Sequence, residues 1–101
     1  MLVTFRTNAW GNITMFGDVA VRLLKMMGHS GTVPSALLAR DIPAALARLR
    51  RELAAAGDEP APAQKDPDGE PPVGIRLRAY PLIEMLEAAE KDEADILWSA
   101  D

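Results

Sequence analysis

LVTFRT, residues 2–7, alternates apolar with polar side chains and is rich in β-branched and aromatic residues, the pattern of a strand buried on one face. The far end of the chain, Asp95-Ile96-Leu97-Trp98-Ser99, closes as a second short strand. Two strands alone are marginal, and each has an apolar face that helices must cover. The ends of the chain are therefore expected to pair. This predicts an α+β domain in the order β-α-α-α-β, with three helices packed on a small sheet formed by the N- and C-terminal strands. If an outer strand edge stays open, a second copy could extend the sheet, so a homodimer is among the expected assemblies.

Between the strands the period changes. After a break at Asn8 to Asn12, Phe16, Ala20, Leu23 and Met27 recur at steps of four, three and four, with Met15 and Val19 widening the face. This predicts a helix from Ile13 to about Met27, capped by Asn12 or Thr14 and ended by Gly28 in the left-handed region. His29 to Arg40, punctuated by Gly31 and Pro34, reads as an ordered connection with at most a short turn. Asp41-Ile42-Pro43 then supplies a capping carboxylate and a proline in a first helical turn. The helix that follows carries Ile42, Leu46, Leu49 and Leu53 on one stripe and stops at Gly57.

Residues 57–74, GDEPAPAQKDPDGEPPVG, hold five of the eight prolines and almost no large apolar side chain. Such a stretch cannot bury enough surface to offset its ordering entropy, so it reads as a flexible linker inside a single domain of residues 1–101. Beyond it two patterns compete. Val73, Ile75, Leu77 and Ala79 alternate like a strand, whereas Leu77, Tyr80, Ile83, Leu86 and Ala89 step like a helix. The longer pattern favours a helix through Glu90, with Pro81 kinking it or setting its effective start.

Composition narrows the classes of function. The formal charge of -4 disfavours a protein built to hold nucleic acid phosphates. Residues 1–51 carry seven basic and two acidic side chains, and residues 52–101 carry four and thirteen. The two halves can attract each other within one fold or across two copies. With Cys 0 there are no disulfides or thiolate sites, which suits a reducing compartment. No stretch reaches membrane-spanning length and the first residues lack a signal-peptide pattern, so a cytoplasmic location is expected.

The chemistry-bearing residues gather at Gly28-His29-Ser30-Gly31-Thr32. Met15, Met26, Met27 and His29 are soft donors that could hold Cu(I), yet Met15 and Met27 fall on the apolar stripe, where they fill a core; only Met26 looks turned away. The small polar loop follows a helix, so it meets the negative end of the dipole, which repels phosphate and favours His29 as a cationic cap. His29 and Ser30 are neighbours, whereas a nucleophile and its base need convergent side chains. Glu84, Glu87 and Glu90 read as a solvated helix face. Arg40, Arg48, Arg50 and Arg51 could grip phosphates, with Trp10 or Trp98 stacking a base, but the overall charge opposes this.

The run MFGDVAVRLLKMMGHSGTVPSALLARDIPAALARLR, Met15 to Arg50, and RAYPLIEMLEAAE, Arg78 to Glu90, resemble the bacterial family known as domain of unknown function 1840. The likeness covers nearly the whole chain apart from the proline-rich stretch, with the motifs in the same order. It implies a small bacterial protein forming one continuous domain, with an insert of little functional weight. Members usually have a small residue where Ser35 stands and a shorter or different linker. The resemblance transfers no catalytic residue.

No catalytic constellation, metal set or cofactor motif emerges. The expected function is that of a non-enzymatic protein-interaction module with an unidentified protein partner. Its expected contact surface is the Gly28 to Pro34 loop together with the Arg48 and Arg51 face. The alternative is a small ligand or soft metal bound at that loop.

Overall fold

The computed structural model describes residues 1–56 and 74–100; the expected linker at 57–74 lies, except for Gly74, outside the described residues. Four strands form one antiparallel sheet in the order β2-β1-β4-β3, with three helices beside it. β1 (Leu2–Thr7) and β4 (Ile96–Ala100) are its two central strands, paired from Val3↔Ala100 to Thr7↔Ile96. The expected pairing of the chain ends is thus the middle of the sheet. The α+β class stands, and the sheet is twice as wide as two terminal strands would make it.

One added strand is β2 (Trp10–Phe16), which forms a hairpin with β1. The expected helix from Ile13 instead starts at Gly17, as α1 (Gly17–Met26). Ile13 and Thr14 are β-branched and Trp10 and Phe16 aromatic, residues that suit a pleated surface. Phe16, counted as the first member of the helical stripe, is the residue before the helix, and neither Asn12 nor Thr14 caps it. Ile13 and Met15 point toward the helices, opposite Phe5 and Val3. The other added strand, β3 (Ser35–Leu37), pairs with β4 inside the stretch expected as a connection.

α2 (Ile42–Ala56) follows a 3-10 turn at Ala39–Asp41 and buries the whole expected stripe, Ile42, Leu46, Leu49 and Leu53, together with Ala45. The turn is held from the far end of the chain, where Asp95 Oδ1 accepts the Ala39 N–H at 2.7 Å. α3 (Ile75–Asp92) is helical throughout, with Pro81 inside it, which resolves the competition over residues 75–81. Its buried line is Ile75, Ala79, Leu82, Met85, Leu86 and Ala89. Leu77 and Tyr80, expected inside, are 71% and 61% exposed. Pro81 explains the rotation. A proline in a helix cannot donate to the carbonyl one turn earlier, here that of Leu77, and that group needs water. The face bearing Leu77, Tyr80 and Pro81 therefore turns outward.

The core lies between the helices and the inner sheet face, where Val3, Phe5, Ile96 and Trp98 meet Leu23, Leu49 and Leu86. The outer sheet face is polar at its centre. Thr4 and Thr14 share a hydroxyl hydrogen bond of 2.8 Å, and Arg6 Nη1 donates to Ser99 Oγ at 2.9 Å. One bridge joins the basic and acidic halves across α2 and α3, Arg50 Nη2 to Glu87 Oε2 at 3.0 Å. Both side chains are half exposed, so its contribution is below about 1 kcal/mol.

α3 ends on Glu93 at φ 53°, with the Ala94 N–H bonded to the Ala89 carbonyl. A glutamate there adopts a conformation that suits glycine and sets its charge at the negative end of the dipole. Glu93→Gly is expected to stabilise the protein by about 1 kcal/mol, read as a rise in the midpoint of thermal or urea unfolding.

Candidate functional site

The loop that follows α1 begins as a helix stop. Gly28, at φ +86°, donates to the Lys25 carbonyl at 3.0 Å, and the His29 N–H donates to the Leu24 carbonyl at 2.9 Å. This paired 5→2 and 6→1 arrangement satisfies the last carbonyls of the helix with backbone alone. The His29 ring, expected to cap the helix, is used elsewhere. Met26, expected to turn away from the core, is buried with Met27.

The imidazole of His29 stands edge-on to the Trp98 indole, with ring centroids 5.0 Å apart at 80°. Its Nδ1 accepts the Gly31 N–H at 3.0 Å, and its Nε2 lies 3.3 Å from Ser35 Oγ. An acceptor Nδ1 fixes the proton on Nε2, which therefore donates to the serine. That polarity is the reverse of a nucleophile and its base, where Nε2 must take the serine proton and a carboxylate accepts from Nδ1–H. Sequence neighbours pointed to Ser30, while strand β3 brings Ser35 to the ring. The Ser30 hydroxyl instead lies 2.7 Å from that of Thr32.

Trp98 holds the loop from the sheet side. Its Nε1 donates to the Thr32 carbonyl at 2.9 Å, so one side chain of β4 fixes a loop 66 residues away. Beside it opens a shallow depression of about 230 Å³, lined by Gly28, His29, Leu37, Asp41, Arg48 and Trp98 among others. The fold thus brings Arg48 to the candidate loop. Its guanidinium lies over Gly28, where a Cβ would come within 2.8 Å of Nη1. A cation at that place meets the negative end of α1. Arg51, the other expected contact residue, does not line the depression. Among the described residues no three His, Cys, Asp or Glu side chains converge as metal ligands would.

A second surface lies on the opposite side of the molecule, and the sequence reading missed it by placing Leu77 and Tyr80 in the core. Leu77 is shared by two depressions. One, of about 270 Å³, runs between β2 and α3 past Leu2, Met15, Phe16 and Pro81. The other, of about 440 Å³, runs between α2 and α3 past Arg50, Leu53, Arg76, Tyr80 and Ile83. Phe16 and Leu2, directly paired across the hairpin, are 51% and 43% exposed. The signal available in the sequence was Pro81, whose helix face must meet water.

The family model for a domain of unknown function, DUF1840, matches residues 1–98. The chain belongs to the DUF1840 family. The DUF1840 match reaches Trp98 and includes both surfaces, so each is built from residues within the family domain. No curated protein and no solved structure matches the chain. No described helix is long and apolar enough to cross a membrane.

Two substitutions test the loop's construction. Trp98→Phe keeps an aromatic ring but strands the Thr32 carbonyl; a loss of about 2 kcal/mol in stability is expected, with amide exchange accelerating most at His29 to Thr32. Gly28→Ala imposes a side chain at positive φ against Arg48 and is expected to cost about 1–2 kcal/mol in denaturant unfolding.

Proposed function

We infer that this domain is a non-enzymatic protein-interaction module and that its contact surface is the apolar strip shared by β2 and α3. The observation that carries the reading is the clustering of exposed large side chains there, with Leu77 at 71%, Tyr80 at 61% and Phe16 at 51%. Scattered surface leucines need no explanation, but contiguous apolar patches with polar rims mark binding surfaces. Arg50 and Arg76 supply such a rim. The strip also runs along β2, beyond which no strand lies among the described residues, and such an edge offers backbone hydrogen bonds in addition to apolar area.

The Gly28 to Pro34 loop is a weaker choice for the contact. Its imidazole, its Ser30 and Thr32 hydroxyls and the Thr32 carbonyl bond within the domain, and Arg48 packs on the end of α1. Arg51 lies clear of that packing, so it probes the basic face of α2 without disturbing the helix end.

The test is affinity capture of the tagged protein from cells that make it, with mass spectrometry. A stoichiometric partner, including an untagged copy of the chain, is expected with the unmodified protein. It is expected to be lost from a Phe16→Ser, Leu77→Ser, Tyr80→Ser variant that still unfolds cooperatively, and kept by Arg51→Glu. A partner kept by the triple variant and lost with Arg51→Glu would overturn the placement of the contact.

A further inference from the structure

The two sheet edges differ in kind. β3 is three residues long and follows Pro34 directly, features that blunt an edge. β2 runs for seven residues, WGNITMF, with neither proline nor ionisable side chain, and among the described residues no strand lies beyond it. A long uncharged edge is a template for another strand.

Its hydrogen-bonding phase follows from the hairpin. The Gly17 N–H donates to the Met1 carbonyl at 2.8 Å, extending the β1–β2 ladder by one pair. Antiparallel pairs alternate between hydrogen-bonded and non-hydrogen-bonded, so Val3↔Met15 and Phe5↔Ile13 are bonded, and Leu2↔Phe16 and Thr4↔Thr14 are not. The short contact between the Thr4 and Thr14 hydroxyls agrees, because side chains approach most closely in the latter kind. The backbone N–H and C=O groups of Thr14 and the N–H of Phe16 therefore point away from β1, to the outer edge of β2, while the Phe16 carbonyl, at the N-cap, serves the first turn of α1.

The usable length is bounded at both ends. Between Phe5↔Ile13 and Thr7↔Trp10 the register slips, with Gly11 and Asn12 opposite Arg6 alone, a bulge in β2. At the other end α1 begins at Gly17. The stretch left for pairing is Asn12 to Phe16, and its midpoint is Thr14.

We propose that β2 pairs antiparallel with β2 of a second copy about a two-fold axis at Thr14, joining two four-stranded sheets into one. This names the partner for the contact surface inferred above and rests on that reading. In this register like meets like. Thr14 faces Thr14 of the second copy on the outer sheet face, and Ile13 faces Met15 of the second copy on the inner face. No ionisable group enters any pair from Asn12 to Phe16, so no charge is buried between the two strands, and Arg78 of α3 lines the depression beside them. The exposed Phe16, Leu2 and Leu77 flank the axis from both copies, as an isologous interface requires.

The axis supplies the test, because a residue on it meets itself. Thr14→Lys and Thr14→Glu each set like charges directly opposite, which is destabilising in a cross-strand pair. Mixing them sets opposite charges together. Sedimentation velocity and native mass spectrometry over a dilution series are expected to give twice the chain mass for the unmodified protein. The chain mass is expected for each variant alone, and a one-to-one heterodimer for the mixture. Phe16→Pro is the second probe. Phe16 has φ -60°, which proline adopts, and the N–H it removes faces the open edge, so a folded monomer is expected. Thermal unfolding of each variant checks that the domain is intact. An unmodified protein that is monomeric throughout, or a dimer indifferent to Thr14→Lys, Thr14→Glu and Phe16→Pro, overturns the proposal. A monomer that still captures a foreign partner through Phe16, Leu77 and Tyr80 would sink self-pairing and leave the interaction surface standing.

Discussion

The hydrogen bond from Trp98 Nε1 to the Thr32 carbonyl is the constraint through which the two ends of this fold are fitted together. Trp98 is buried on the inner face of β4, opposite Phe5 of β1 in the sheet and Ser35 of β3, with its ring centroid 5.7 Å from that of Phe5. An indole is amphipathic: its area is worth most when buried, and its N–H then demands an acceptor. Here the acceptor comes from the loop after α1. That loop must lie against the sheet for Trp98 to be buried at all. His29 then closes over the indole edge, and the Gly28 stop that delivers the loop receives Arg48 from α2.

The dependence runs in both directions, which explains why a stretch so rich in hydroxyls and glycine offers little chemistry. The side-chain polar groups of His29, Ser30 and Thr32 each meet another group of the same domain. Nδ1 of His29 spends its lone pair on Gly31, and Nε2 spends its proton on Ser35. A ring held this way is a brace. To become a base toward Ser35 it would have to exchange tautomers, losing the Gly31 bond to Nδ1 and reversing the bond to Ser35, and among the described residues no carboxylate is bonded to the ring to hold the new proton position.

Much of this frame was legible in the sequence, because the strongest signals were local. Alternation in Leu2 to Thr7 and the stripe of Ile42, Leu46, Leu49 and Leu53 each reported the face that became buried. Gly28 announced the left-handed stop. The failures came where two periods fitted one stretch and tertiary contacts chose between them. Phe16 to Met27 counts as helical whether or not Phe16 belongs to it, and only pairing with Leu2 assigns Phe16 to a strand. Leu77 and Tyr80 lie on one apolar line and Ile75 and Ala79 on another; the cost of burying the carbonyl opposite Pro81 decides for the second. The site was less legible than the fold. His29 stood out as a residue type, but its partners Ser35 and Trp98 arrive from β3 and β4, one strand unrecognised and the other 69 residues away.

The two surfaces divide the molecule into a closed side and an open one. On the closed side, β3 is short, the loop bonds to itself and the indole seals the gap between sheet and helices. On the other side, no strand lies beyond β2 among the described residues. A four-stranded sheet has two edges, and the loop, with its Pro34, leads into the strand at one of them. Pro81 turns apolar side chains of α3 outward next to the other edge, so backbone groups seeking a strand and side chains seeking burial occur side by side. A monomer would gain by placing a lysine or a proline within β2, and Asn12 to Phe16 has neither. Within the described residues β3 carries the usual protection of an edge and β2 does not, which is the physical reason for placing the proposed contact at β2.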